Sequence, residues 1–172
     1  MVDLWDKSKG VKRVLPKYGK GEQKLPVFKM PHFEGWAVSG SLAFVPGVGR
    51  HEVVVVDTTT WTEKKRISLS GQPVFAMASP DGRKVWVNFA MPDNGKIQII
   101  DVSTLSVVET LNPGKAVLHM EFTPKGEQVW ISVRDENRID VYSTEKIKKL
   151  KSLSVDKPSG IFFSSRANRI GL

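Results

Sequence analysis

Apolar residues in this chain fall in short runs rich in Val, Ile, Phe and Trp, separated by Gly, Pro, Asp and Ser, which is the pattern of strands and turns rather than helices. The pattern repeats. Ala78-Ser79-Pro80-Asp81-Gly82-Arg83-Lys84-Val85-Trp86-Val87 returns as Phe122-Thr123-Pro124-Lys125-Gly126-Glu127-Gln128-Val129-Trp130-Ile131, a shift of 44 residues. The strand-like Val53–Val56, closed by Asp57, returns 44 residues later as Ile97–Ile100 with Asp101, and again 42 residues on as Ile139–Tyr142. A more diverged copy aligns Pro31 with Pro73 and Gly40 with Gly82, a shift of 42. A period between about 40 and 45 residues with four strands per unit is the mark of a β-propeller.

Each unit predicts a meander of strands a to d. The best-formed one has a at 73–79, b at 84–89, c at 96–101 and d at 106–111. The next has strands at 116–122, 128–133, 138–143 and 148–153, and the earlier one at 33–38, 42–46, 52–57 and 63–69. Ser79-Pro80-Asp81-Gly82 is a turn with a mechanism, because Pro presets φ and Gly accepts a positive φ.

The whole of 1–172 is therefore expected to be an all-β propeller fragment, about four four-stranded blades forming half of an eight-bladed propeller. Complete blades are expected at 30–70, 73–112 and 115–155. Strands c and d of a preceding blade are expected within 1–25, and 158–172 starts a following one. Unfinished blades expose edges, so the ends are expected to close on each other, on a second copy in a homodimer, or on a missing N-terminal half-propeller. The Gly-His and Trp-Asp marks of WD repeats are missing, since Trp86 and Trp130 are followed by Val87 and Ile131.

Composition narrows the chemistry. Cysteine is absent, which excludes disulfides, thiolate metal sites and cysteine nucleophiles, and leaves the compartment open. The longest apolar stretches, such as Glu52–Val56, fall far short of the roughly 20 residues of a spanning helix, so no membrane span is expected. Met1 leads directly into the strand-like Val2–Trp5, without the pattern of a secretory signal. The net charge of +8 suits an anionic partner, or a solvated lysine-rich surface. Nucleic acid is not expected, because no recognition motif accompanies the basic excess.

In a propeller the d–a and b–c connections share the upper face around the channel. All three histidines, His32, His51 and His119, fall on that side. The inner strands align Pro31, Pro73, Ala116 and Pro158, and three residues later stand Glu34, Ala76, His119 and Ile161. An imidazole and a carboxylate on neighbouring inner strands could act as axial ligand and acid or base toward a group seated over the channel. Equally, His119 between Leu118 and Met120 suits a neutral core histidine bonded to backbone. Arg50, Lys115, Arg134 and Lys157 lie on the same face, where a guanidinium could clamp a carboxylate or simply solvate the rim. Metal chelation by protein side chains alone, a Gly-x-Ser-x-Gly nucleophile and a phosphate-cradling loop all lack their motifs.

Specific strings go further. They are Met30–Val38 (MPHFEGWAV), Val48–Val53 (VGRHEV), Gly71–Phe75 (GQPVF), Ala116–Pro124 (AVLHMEFTP), Val133–Asn137 (VRDEN) and Lys157–Phe163 (KPSGIFF). Together they resemble the C-terminal half of the heme d1 biosynthesis protein F family, relatives of the d1 domain of cytochrome cd1 nitrite reductase. The resemblance covers almost the whole chain and implies an eight-bladed propeller that works in the periplasm of denitrifying organisms on a late, siroheme-derived precursor of heme d1. It implies His119 as axial ligand to the tetrapyrrole iron or as proton donor, Glu34 as acid or base partner, and Arg50, His51, His32 and Arg134 as residues lining the ligand. Other heme d1 assembly proteins are implied partners. Two functions stay open: conversion of the tetrapyrrole, or a propeller that only carries it and docks partner proteins. The N-terminal half, with whatever ligands it supplies, is not in this chain.

Overall fold

The computed structural model describes Ser8, Gly10, residues 35–47 and residues 49–164. Among these described residues twelve strands form three four-stranded antiparallel sheets, each a meander in chain order. The first blade contains β1 (Ala37–Ser39), β2 (Leu42–Pro46), β3 (Glu52–Asp57) and β4 (Thr62–Ser68). The second contains β5 (Pro73–Ala78), β6 (Lys84–Phe89), β7 (Ile97–Asp101) and β8 (Ser106–Leu111). The third contains β9 (Val117–Phe122), β10 (Gln128–Val133), β11 (Arg138–Ser143) and β12 (Lys148–Ser154).

Alternation along the strands shows why the sheets stack. In β6, Val85, Val87 and Phe89 pack toward the first blade, whereas Trp86 packs toward the third with Ile97 and Ile99 of β7. Both faces of the middle strands are therefore apolar, as a sheet covered on both sides requires. Trp86 meets Phe122 edge-on at 6.0 Å between ring centroids. The fourth strand of each blade is polar and mostly exposed, which places it on the perimeter.

Turn chemistry repeats with the strands. At the foot of β3 the Asp57 carboxylate accepts the N–H groups of Thr59 and Thr60, and at the foot of β7 Asp101 does the same for Ser103 and Thr104. In the third blade the Ser143 hydroxyl takes this place, accepting from Lys146 N. Each of these turns ends on a hydrophobic residue at positive φ: Trp61 at 55°, Leu105 at 52° and Ile147 at 51°. The ladder register shifts just above each turn, between Val55 and Val56, Ile99 and Ile100, and Val141 and Tyr142. The extra residue is a bulge that adds twist to the outer hairpin.

Strand positions expected for the second and third blades agree with the structure to within about a residue. Of the inner strand expected at 33–38 in the first blade, 33 and 34 lie outside the described residues, and the described ladder runs over Ala37–Ser39. The Gly35 carbonyl is engaged elsewhere, accepting from Ala76 N of the next blade at 3.3 Å. The segment 158–164, expected as an inner strand, forms no ladder and is anchored instead by Ile161 N to His119 Nδ1 and by Phe163 against Trp130. The strands expected within 1–25 lie outside the described residues. Among the described residues no helix is long and apolar enough to cross a membrane.

Candidate functional site

The ladders fix which loops share an end. Pro46 faces Val53, Pro73 faces Phe89, Asn88 faces Ile97, and Val133 faces both Val117 and Arg138. The β2–β3, β6–β7 and β10–β11 connections therefore sit at the same end of their blades as the starts of β5 and β9. The second and third blades are stitched there by Val117 N donating to Asn94 O, and within the third blade Arg134 N donates to Ala116 O.

His119 stands on β9, near that end, with only 9% of its surface exposed. Its ring lies between Phe75 of β5 at 5.5 Å and Phe162 of the following segment at 5.2 Å, measured between centroids. Three consecutive inner segments thus meet at the imidazole. Its Nδ1 accepts a hydrogen bond from Ile161 N at 3.2 Å. An accepting Nδ1 has no proton, so the neutral ring carries its proton on Nε2. An iron bound at Nε2 needs the lone pair there and the proton on Nδ1, where it would meet the Ile161 N–H head-on. In this geometry the imidazole is therefore an acceptor at Nδ1 and a donor at Nε2.

The other expected residues are spread over separate loops. His51 is exposed at the start of β3. Arg50 lies 4.0 Å from the Glu52 carboxylate, which Arg66 of the outer strand also engages at 2.8 Å. Arg134 is partly exposed in a 3₁₀ turn (Arg134–Glu136) and pairs with Asp135 at 2.9 Å. His32 and Glu34 lie outside the described residues. The described residues contain no group of three or more His, Cys, Asp or Glu able to hold a metal ion.

Beside these loops the β6–β7 and β10–β11 connections and the approach to β9 border an open pocket of about 320 Å³, lined by Asp93, Lys96, Asn112, Lys115 and Glu136 among others. Both of its carboxylates are engaged. Lys96 bridges to Asp93 at 2.7 Å, and the Glu136 carboxylate accepts Lys115 N at 2.8 Å and pairs with Arg138. The Lys115 N–H and the Arg138 guanidinium hold the Glu136 carboxyl below its ordinary range. His119 does not line this pocket.

Sequence reasoning did not find Asn88, Ser132, Phe75 and Phe162, which surround His119. A signal existed for two of them: Asn88 and Ser132 are 44 residues apart, one repeat, and each is a polar residue in an otherwise apolar stretch of strand b. Both are fully buried.

Three stacked four-stranded meanders with their loops gathered at one end define a β-propeller segment. Residues 1–167 match the cytochrome D1 heme domain model, and the chain belongs to that family. It is 54% identical over 171 residues to protein NirF of Stutzerimonas stutzeri, an alignment that covers 99% of this chain and 44% of that protein. It is 30% identical over 155 residues to the dihydro-heme d1 dehydrogenase of Pseudomonas aeruginosa, covering 86% of the chain and 31% of that protein. The solved structure of dihydro-heme d1 dehydrogenase NirN in complex with DHE superposes with a TM-score of 0.71 at 28% identity, over 86% of this chain and 33% of the other. The chain thus spans less than half the length of these relatives.

Proposed function

We propose that this chain supplies part of the upper face of a propeller that binds a siroheme-derived tetrapyrrole on the route to heme d1. His119 contacts the ligand, and Arg134 takes one of its carboxylates. The observation that carries the reading is the buried imidazole held between three consecutive inner segments of a cytochrome D1 family propeller. Arg134 suits its role because its pair with Asp135 is partly exposed, and such pairs are worth little, so a ligand carboxylate can displace it. Arg50, His51 and His32 complete the proposed lining, and Glu34 is the proposed acid or base. The name of the dihydro-heme d1 dehydrogenase relative and the family's description support heme d1 chemistry as the setting. By the same reading the chain forms about four blades of an eight-bladed ring, with the rest coming from another polypeptide or from a second copy.

Titrating the purified chain with siroheme and following its Soret band tests the proposal. A saturable shift is expected, weakened about tenfold or more in His119→Ala, the equivalent of one lost charge-assisted hydrogen bond. A spectrum that does not move, or one that moves identically in the variant, would sink the assignment.

A further inference from the structure

The backbone around His119 is not held by an ordinary ladder. β9 and β10 pair through Ile131 with Met120 and then through Val133 with Val117, so one extra residue on β9 is bulged opposite Ser132. Bulges re-aim side chains, and here the residue re-aimed is the histidine. The lost ladder bonds are replaced by one side chain. His119 N donates to Ser132 Oγ at 2.8 Å, and the same hydroxyl donates to His119 O at 3.1 Å.

A second grip comes from the neighbouring blade. Asn88 Nδ2 donates to the carbonyls of Val117 and Leu118, at 3.1 and 3.4 Å, immediately before the histidine. These two donations fix which way the amide points, and they leave Asn88 Oδ1 buried without a hydrogen-bond partner among the described residues. The third element is the Ile161 N–H, which fixes the ring itself.

We infer that Ser132 and Asn88, together with the backbone N–H of Ile161, are positioning groups that hold His119 as a fixed Nε2–H donor toward a carboxylate oxygen of the tetrapyrrole rather than as a ligand to its iron. The inference rests on the functional reading above for the identity of the ligand. It stands on its own for the state of the ring. A plain fastening role for Ser132 would stabilise the blade without constraining the imidazole, and the two roles separate in experiment.

Nitrogen-15 NMR of the full chain, labelled at histidine, gives the first measurement. A pyridine-like Nδ1 and a pyrrole-like Nε2 are expected for His119, assigned by its disappearance in His119→Ala. A pyrrole-like Nδ1 overturns the inference. Ser132→Ala is expected to turn the His119 signals into a mixture of tautomers and to weaken siroheme binding about tenfold, while Ser132→Thr, which keeps the hydroxyl, restores both. Unchanged ring signals and affinity in Ser132→Ala overturn the positioning role. If that variant does not fold, the wild-type tautomer still decides.

The third measurement compares siroheme with its metal-free macrocycle. A donor to carboxylate predicts that His119→Ala weakens both ligands alike, whereas an iron ligand predicts a loss with siroheme alone, which overturns the inference. Failure of the tetrapyrrole reading looks different, since neither macrocycle would then bind while the ring tautomer in the free chain stays as described.

Discussion

At the scale of single residues, the a–b turn of the second blade shows how one carboxylate is made to keep its charge. Burial raises the Asp81 pKa, but the Ser79 hydroxyl, the Arg83 N–H and the Arg83 guanidinium together outweigh it and leave the group at about 2. A carboxyl whose folded pKa lies below its unfolded value of 3.8 contributes stability that is complete above that value and is lost as pH falls through about 2. Asp81→Asn should therefore lower stability at pH 7, by no more than about 1 kcal/mol because the side chain is half-exposed and screened. Urea midpoints measured across pH should show wild type and variant converging as pH falls from about 4 toward 2. A gap that stays constant over that range would mean that charge is not the cause. His119 illustrates what could not be read at this scale. Its place on an inner strand followed from the repeat, but its protonation pattern depends on Ile161, 42 residues away, and on how the following segment packs.

Among the elements, the strands were legible because a two-residue period and Pro-Gly turns are local signals. The conformation of the turns between the third and fourth strands was not, since Trp61, Leu105 and Ile147 occupy the left-handed region that local preference reserves for Gly or Asn. Their side chains compensate by packing, Leu105 against the core between the first two blades and Ile147 against the core between the second and third. The a–b turns follow preference and add an interblade contact. Gly126 has φ 74°, and a Cβ there would lie 2.8 Å from the Pro80 ring of the preceding blade, whereas Gly40, at φ 55°, faces open space. Replacing either by Ala carries the left-handed cost of roughly 1–2 kcal/mol. Gly126→Ala must also displace the Pro80 ring, so its thermal midpoint should fall further than that of Gly40→Ala. Equal losses in the two variants would show that the turns of successive blades do not bear on one another.

Over the whole molecule, stability is set by the spaces between blades rather than within them. Phe44 belongs to the core shared by the first and second blades, and Trp86 to the core shared by the second and third. Both side chains are fully buried, so truncation of either to Ala should cost about 3–5 kcal/mol. In a stacked array each unit touches only its neighbours, and substitutions in different interfaces add. The two cores are separated by a single sheet, however, with Trp86 on one side of β6 and Val85 and Val87 on the other. A cavity at Trp86 that let β6 move would loosen the Phe44 core as well. Well-packed strands in low-energy rotamers resist such movement, and the first two blades are further pinned by Ser39 Oγ donating to Gly82 O at 2.6 Å. Phe44→Ala combined with Trp86→Ala should therefore lose the sum of the single losses to within about 0.5 kcal/mol, measured by denaturant unfolding. A coupling well beyond that would mean that the sheet transmits strain across its thickness. A change at one blade interface would then reach His119 through β9, which packs against the Trp86 core.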